Sequence, residues 1–192
     1  DYNVDVKWEM FPKTNEIVSF TLFGKLIQNP INEVTLASST NDISYINTGD
    51  QGYVVGAEVE LRKKIYQIGA DDRDQISFGF NASYMKTSQD LDSQKVRNET
   101  NYNINLTDSK AGFTGASDFL ANADISWSQN FKNDSSIMAT LAYAYFSNRL
   151  YALGTEMKGN LVDQSVGSLD FILKTKLNKQ LGLNFSVRNL LD

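Results

Sequence analysis

The chain contains no cysteine and no histidine. The missing thiols exclude disulfide bonds and thiolate metal sites, and the missing imidazoles remove the commonest metal ligand and general base. A Ser-His-Asp triad, a Cys-His dyad and a histidine-based zinc site are therefore impossible within this chain. We accordingly expect no bound metal, no cofactor and no enzymatic activity.

Positive charge and long apolar runs are also scarce. The 192 residues carry 18 Lys and Arg against 23 Asp and Glu, which gives a formal net charge of -5. A nucleic-acid surface needs clustered Lys and Arg, so we expect no nucleic-acid partner. The longest apolar run, residues 137–146, is far too short for a transmembrane helix. This composition is typical of a soluble protein, but transmembrane barrels share it because only every second strand residue faces lipid.

Proline is almost absent too, and what the chain offers instead is alternation. Residues 53–62, YVVGAEVELR, place apolar side chains at every odd position and Glu58, Glu60 and Arg62 on the other face. A period of two is typical of a strand with one apolar and one wet face. Ten such residues rise about 33 Å, which is enough to cross a bilayer core when the strand is tilted.

The same alternation recurs along the whole chain and predicts eight strands. Their ranges are 2–10, 17–28, 53–62, 76–87, 118–130, 137–148, 164–177 and 181–188. Short turns and long polar loops alternate strictly between them, and aromatic residues gather near the strand ends. Outer-membrane barrels have this rhythm, with short periplasmic turns and long extracellular loops, whereas soluble sandwiches have short turns at both ends. The fold class predicted is all-β, an antiparallel up-and-down transmembrane β-barrel segment.

The number of turns favours a segment over a whole barrel. Four short turns and three long loops would place both ends of the segment outside the cell. An ordinary eight-stranded barrel keeps both termini in the periplasm. We therefore expect residues 1–192 to be one partial barrel domain, about eight strands of a larger barrel.

Four short motifs resemble the C-terminal barrel region of TonB-dependent outer-membrane receptors, in the style found in Bacteroidota. The motifs are FTLFGK at 20–25 followed by IQNPI at 27–31, NTGD at 47–50 followed by GAE at 56–58, DFLANAD at 118–124, and RNLLD at 188–192. The resemblance implies a barrel of about 22 strands around an N-terminal plug. It also implies that the plug, the early strands and the closing strand are absent from this chain.

The resemblance carries an expected function. It implies a receptor in the bacterial cell outer membrane that takes up a scarce nutrient, such as a metal chelate, cobalamin or a glycan. Its partners would be outer-membrane lipid, the small-molecule or glycan ligand, and TonB, which acts through the missing N-terminal region. Two other hypotheses stay open: a passive porin or structural outer-membrane barrel, and a soluble β-sandwich used for binding or adhesion.

Two sets of candidate site residues follow from this reading. Polar residues on the wet face are predicted to line the lumen: Glu58, Glu60, Arg62, Asn81, Ser83, Asn122, Asp124, Asp170 and Lys174. Ligand capture is assigned to exposed aromatic residues of the long loops: Tyr45, Tyr102, Phe113 and Tyr151.

Two acidic clusters, Asp71, Asp72 and Asp74 and then Asp90 and Asp92, offer oxygen atoms of the kind that calcium prefers. Neither cluster matches the full calcium-loop motif, so we interpret both as solvated loop charge. The predicted metal site is none.

Overall fold

The computed structural model describes residues 1–36, 40, 42–69, 73–132 and 134–191. Within these residues the chain forms strands and one short helix, α1 (Ser93–Glu99). The eight long strands are β1 (Tyr2–Met10), β2 (Ile17–Gln28), β5 (Gln51–Gln67), β6 (Gln75–Asp90), β8 (Phe119–Asn130), β9 (Ser136–Phe146), β12 (Val166–Lys176) and β13 (Gly182–Val187). The short strands are β3 (Ile31–Thr35), β4 (Ile43–Asn47), β7 (Lys110–Ala111), β10 (Arg149–Ala152) and β11 (Leu161–Asp163).

The long strands form one antiparallel sheet in the order β1-β2-β5-β6-β8-β9-β12-β13, and β7 pairs with β6 beside this path. Each long strand therefore pairs with the next one along the chain, which is an up-and-down meander. The prediction of an all-β antiparallel fold is confirmed.

Two strands are longer than their alternation predicted. β5 and β6 extend to Gln67 and Asp90, and their register shifts between Lys64 and Tyr66. One extra residue at such a bulge moves the following side chains to the opposite face. The predicted third strand ended at residue 62 because Lys63 places a charge at the next position of the apolar series.

The register joins the apolar residues of all eight strands into one surface, the apolar face. One row across the sheet runs Val6, Leu22, Ala57, Tyr84 and Phe119, each directly opposite the next. Residues opposite each other on neighbouring strands point to the same side of a sheet. A second row continues this surface over the later strands: Ile125, Leu141, Phe171 and Val187.

The apolar face is exposed. Val4, Leu22 and Phe185 are 68%, 51% and 57% exposed, which is unusual for large apolar side chains in an ordered sheet. Two lysines, Lys63 and Lys86, also point to this side, and both lie toward the ends of their strands. The ammonium of Lys86 is 2.6 Å from the carboxylate of Asp118. The apolar face thus consists of a band without charge, bounded by charged groups.

The three long connections do not extend as separate loops but fold together at one end of the sheet. We call the described residues of 29–50, 91–118 and 147–165 the loop cap. Its core is a cluster of buried apolar side chains: Val34, Ile46, Val96, Ile104, Leu106 and Leu153. The hydrophobic core of the described chain therefore lies in the loop cap and not against the sheet.

Helix α1 belongs to the loop cap and has a local cause. The Asp92 carboxylate accepts hydrogen bonds from the backbone N–H groups of Gln94 and Lys95, at 2.7 and 3.1 Å, which is an N-cap. The helix buries Val96 in the cluster and ends after seven residues. Across the described ranges, no helix combines the length and apolar character needed to span a membrane.

A buried polar network attaches the loop cap to the sheet. The Asn32 amide nitrogen donates to Thr48 Oγ1 at 2.7 Å and to Gln89 Oε1 at 2.8 Å. The Gln89 amide nitrogen donates back to Asn32 Oδ1 at 2.9 Å and to the Gly112 carbonyl at 2.8 Å. Because buried polar groups are costly unless paired, this reciprocal arrangement fixes the orientation of the cap on β6.

Candidate ligand-binding site

The residues predicted to line a lumen all lie on one side of the sheet, opposite the apolar face; we call this side the polar face. Glu60 lies opposite Asn81, which lies opposite Asn122. Asp124 and Asp170 both lie opposite Ala142, from its two neighbouring strands. Side chains two residues apart on a strand point to the same side, so the other predicted lumen residues also lie on the polar face: Glu58, Arg62, Ser83 and Lys174.

Contacts on the polar face are those of a wet surface. The Asn122 amide donates to Asn81 Oδ1 at 2.9 Å, and Arg62 contacts the Glu60 carboxylate at 3.4 Å. Exposed pairs of this kind contribute at most about 1 kcal/mol. In the described part of the chain, no group of three or more acidic side chains is placed to hold a metal ion.

The acidic residues singled out in the sequence have structural partners. Asp74 Oδ1 accepts hydrogen bonds from the backbone and side-chain nitrogens of Asn130, at 2.6 and 3.0 Å. Asp90 lies 3.3 Å from the ammonium of Lys110, and Asp92 caps α1. Asp90 is the last residue of β6 and not a loop residue, and the interpretation of both clusters as solvated loop charge stays a prediction. The other two members of the first cluster, at positions 71 and 72, lie outside the described residues.

Two of the predicted loop aromatics come together on the surface of the loop cap. Tyr45 is 73% exposed, and its hydroxyl donates to Glu33 Oε1 at 3.0 Å. The hydrogen bond to Glu33 raises the pKa of Tyr45, and the negative charge of that carboxylate and the nearby Tyr151 act in the same direction. Tyr151 is 41% exposed. Tyr102 is exposed in the segment after α1, and its backbone N–H donates to Thr100.

The fourth loop aromatic, Phe113, lies elsewhere. It is half-buried, and its ring lies over Gly52 on the polar face of the sheet; a Cβ added at Gly52 would lie 2.5 Å from Cζ of Phe113. The backbone N–H of Phe113 donates to Thr87 Oγ1 at 3.1 Å, and Thr114 Oγ1 donates to Asn32 Oδ1 at 3.4 Å. The expectation of an exposed loop aromatic therefore does not describe Phe113, because its neighbours fix it against the sheet.

A second aromatic ring, that of Phe23 on β2, also packs against β5. A Cβ added at Gly56 would lie 2.4 Å from Cζ of Phe23, so only glycine leaves room for this ring. Val54 lies between the two glycines on β5 and is 8% exposed. The missing side chains at Gly52 and Gly56 thus leave space for two aromatic rings to lie against β5, with the buried Val54 between the two glycines.

These rings belong to a depression of about 460 Å³ where the polar face meets the loop cap. We call it the wall pocket. Its apolar lining is Phe23, Ile27, Val54, Met85 and Phe113, and its charged residues are Asp5, Lys25 and Glu58. Pockets with an apolar lining and a few polar groups are the usual form of small-molecule sites. The wall pocket is therefore the candidate ligand-binding site.

Sequence reasoning identified only Glu58 and Phe113 among the residues of the wall pocket. The available signal was a defect in the pattern: Phe23 falls on the wet face of a strand whose other large apolar residues mostly face the opposite way. Val54 and Met85 are similar exceptions on β5 and β6. An apolar residue on a polar face is the sequence mark of such a patch, but periodicity alone does not show that the exceptions are neighbours.

Comparison with known proteins gave no match to any family model, any curated protein or any solved structure. The function is therefore argued from the geometry of the two faces, the loop cap and the wall pocket.

Proposed function

We propose that the chain forms part of the barrel wall and the extracellular loops of a TonB-dependent receptor, in a bacterial outer membrane. The receptor would take up a scarce nutrient such as a metal chelate, cobalamin or a glycan. The observation that carries the proposal is the two-faced sheet. Its apolar face crosses eight strands, and its side chains stay exposed. Burial of apolar surface is favourable by about 25 cal/mol per Å², so lipid is a suitable medium for this face.

The dimensions of the apolar face support this reading. From Tyr53 to Lys63 on β5 the strand rises about 33 Å, which is about 25 Å along the membrane normal at a tilt of about 40°. The apolar band of outer-membrane barrels has this height. Aromatic side chains lie near both ends, with Tyr53 toward the loop cap and Trp8 and Trp127 toward the short turns. This distribution resembles the aromatic girdles of such barrels.

The edges of the sheet support a larger barrel. β1 and β13 are the two ends of the strand order, and each pairs with a long strand on one side. Exposed edges carry backbone groups without partners, and closed barrels are one way to satisfy them. Further strands on either side would extend the sheet toward the barrel of about 22 strands that the resemblance implies.

The loop cap suits the extracellular side. It contains all three long connections, has a core of its own and presents Tyr45 and Tyr151 to solvent. Ligand capture by these side chains remains our interpretation. Energy coupling would come from TonB acting on a plug, as the resemblance implies.

The test uses the full-length protein expressed in a bacterium with an outer membrane. We expect it in the outer-membrane fraction, and we expect ligand accumulation to stop when TonB is deleted or the proton motive force is dissipated. Accumulation that persists without TonB would favour the passive porin. A monodisperse protein in buffer without detergent, absent from the outer-membrane fraction, would contradict the barrel and favour the soluble binding domain.

A further inference from the structure

We propose that the open edge of β4 in the loop cap binds an extended peptide, which adds a further strand beside the β3–β4 pair. The proposal rests on the proposed function in one point, the assignment of ligand capture to Tyr45, and it names a class of ligand for that surface. It requires neither the wall pocket nor a particular medium over the apolar face.

The pairing of β3 with β4 leaves one edge of β4 open. In an antiparallel pair, residues whose backbone groups point at the partner strand alternate with residues whose backbone groups point away from it. On β3 the second kind includes Glu33 and Thr35, because their backbone groups bond with Leu153 at 2.8 and 2.9 Å. Their partners on β4 are Tyr45 and Ile43. The N–H and C=O groups of these two residues therefore point away from β3.

The outward backbone groups of β4 have no partner in the described part of the chain. There the N–H and C=O groups of Ile43, Tyr45 and Asn47 take part in no hydrogen bond. Among the same described residues, the buried side-chain oxygen of Asn47 also has no partner. Unpaired groups along a strand edge are a template for an added strand. β4, with the sequence ISYIN, contains neither the charge nor the proline that commonly protects such an edge.

The spacing of these open groups selects the class of ligand. Ile43, Tyr45 and Asn47 repeat every two residues, which is about 6.8 Å along the strand, and each offers one donor and one acceptor. An extended polypeptide presents C=O and N–H groups at the same spacing, whereas a glycan or a metal chelate has no such repeat. Recognition through the main chain in this way does not depend on the charge of the ligand.

The exposed side of β4 offers a ring to the side chains of the added strand. Tyr45 is 73% exposed, and its hydrogen bond of 3.0 Å to the Glu33 carboxylate holds the ring in place. A peptide residue opposite Tyr45 points to the same side of the sheet and lies against this ring. Aromatic and β-branched residues are favourable partners across two strands. The ligand that fits is therefore an extended peptide with a β-branched residue opposite Tyr45.

The test uses a fluorescently labelled heptapeptide of alternating threonine and valine, blocked at both ends, and two N-methylated analogues. One analogue is methylated at the valine nitrogens and the other at the threonine nitrogens. Each probe is titrated into the purified full-length protein in a non-ionic detergent, or in buffer alone if the protein is soluble, and fluorescence anisotropy is measured. The two analogues have the same side chains and differ only in which edge of the peptide loses its donors.

The parent peptide should bind, and the valine-methylated analogue should bind at least about tenfold more weakly. With valine against the Tyr45 ring, the valine N–H groups are those that donate to β4, because residues opposite each other in this register exchange hydrogen bonds. The threonine N–H groups point away from β4, so the threonine-methylated analogue should bind like the parent. Equal weakening by both methylations, or no binding of the parent peptide, would overturn the proposal.

Two substitutions at one position separate the ring from the backbone. Tyr45→Ala removes the ring and keeps the N–H, and it should weaken peptide binding about threefold. Tyr45→Pro removes both, and it should weaken binding at least about fivefold further. Proline is compatible with an edge position whose N–H does not bond with the neighbouring strand. Tyr102→Ala is the control for an exposed tyrosine outside the β3–β4 pair and should leave peptide binding unchanged.

Equal affinities of Tyr45→Ala and Tyr45→Pro would contradict pairing through the backbone. Circular dichroism and the thermal transition verify that each variant is folded, and the methylated probes test the same pairing on the unchanged protein. Sedimentation without peptide tests a second copy as the occupant: an oligomer that Tyr45→Pro dissociates would overturn the proposal. Fractionation and TonB dependence are measured separately. A protein that lies in the outer membrane and does not bind the probe loses this site alone.

Discussion

Substitution of Val59 by arginine tests the assignment of the apolar face to lipid. Val59 lies six residues from Tyr53 on β5, about 20 Å along the strand and about 15 Å along the membrane normal at a tilt of about 40°. That places it close to the bilayer midplane. Its partners on either side are Phe20 and Ala82, so no acidic group is opposite to pair with the new charge.

The expected cost of Val59→Arg is about 2 to 4 kcal/mol, the value for arginine on the lipid face of a barrel near the midplane. In a folding equilibrium this is a factor of roughly 30 to 1,000. The assay is urea-dependent folding of the full-length protein into lipid vesicles, followed by tryptophan fluorescence and by the mobility of unheated samples on gels. Val59→Leu should be nearly neutral, which separates charge from shape.

Two controls place the same side chain on the polar face. Glu60→Arg gives up the exposed contact with Arg62, worth at most about 1 kcal/mol, and should otherwise be tolerated. Asn81→Arg places the guanidinium directly opposite Glu60, where it has an acidic partner. Equal destabilisation by Val59→Arg and Glu60→Arg would refute the assignment of the two faces.

Three further predictions concern the loop cap. Leu153→Ala should destabilise the loop cap by about 2 to 5 kcal/mol, because Leu153 is only 1% exposed in its core. Hydrogen exchange should become faster in β3 and α1 and stay slow in the long strands. Uniform acceleration would contradict a separate core in the loop cap. Asp92→Ala should cost about 1 kcal/mol of helix stability by removing two N-cap hydrogen bonds, while Asp92→Asn should retain most of that stability. The protease sensitivity of residues 93–99 measures both effects. Equal sensitivity of the two variants would count against Asp92 as the N-cap of α1. Glu33→Gln should lower the pKa of Tyr45 toward its ordinary value, because it removes the carboxylate that accepts the hydrogen bond of Tyr45 and disfavours the phenolate. Ultraviolet titration near 295 nm measures this change. An unchanged pKa would refute the assigned cause.

The eight long strands and their two faces could be predicted from the sequence, because the alternation of apolar and polar residues is a local property of each strand. Each strand carries its own period of two. A slip of one residue in register would turn Val59 to the polar side and Glu60 to the apolar side of the neighbouring strands. The ends of β5 and β6 were not accessible in the same way. β5 continues past residue 62 although Lys63 places a charge at the next apolar position, and the last residues of β6 pair with Lys110 and Ala111 of β7, a contact that its own pattern does not show.

The loop cap was predicted only as long polar connections, and its structure shows why. Its core is assembled from single apolar residues such as Val34, Val96 and Leu153, which lie far apart in the sequence and have no common period. Helix α1 has one buried apolar residue and a single capping aspartate, too little for a periodic signal. The wall pocket was missed for a related reason, since it joins residues from the sheet and the loop cap that are adjacent only after folding.

The most direct test of the two-faced sheet uses the absence of cysteine from residues 1–192. Single cysteines are introduced in turn at positions 55 and 57–62 of the full-length protein, spin-labelled, and measured in lipid vesicles for collision with oxygen and with a water-soluble nickel complex. If the apolar face meets lipid, labels at 55, 57, 59 and 61 collide mainly with oxygen, and labels at 58, 60 and 62 collide mainly with the nickel complex. Access of the nickel complex to both sets of positions would show that water covers both faces and would contradict a membrane-spanning sheet.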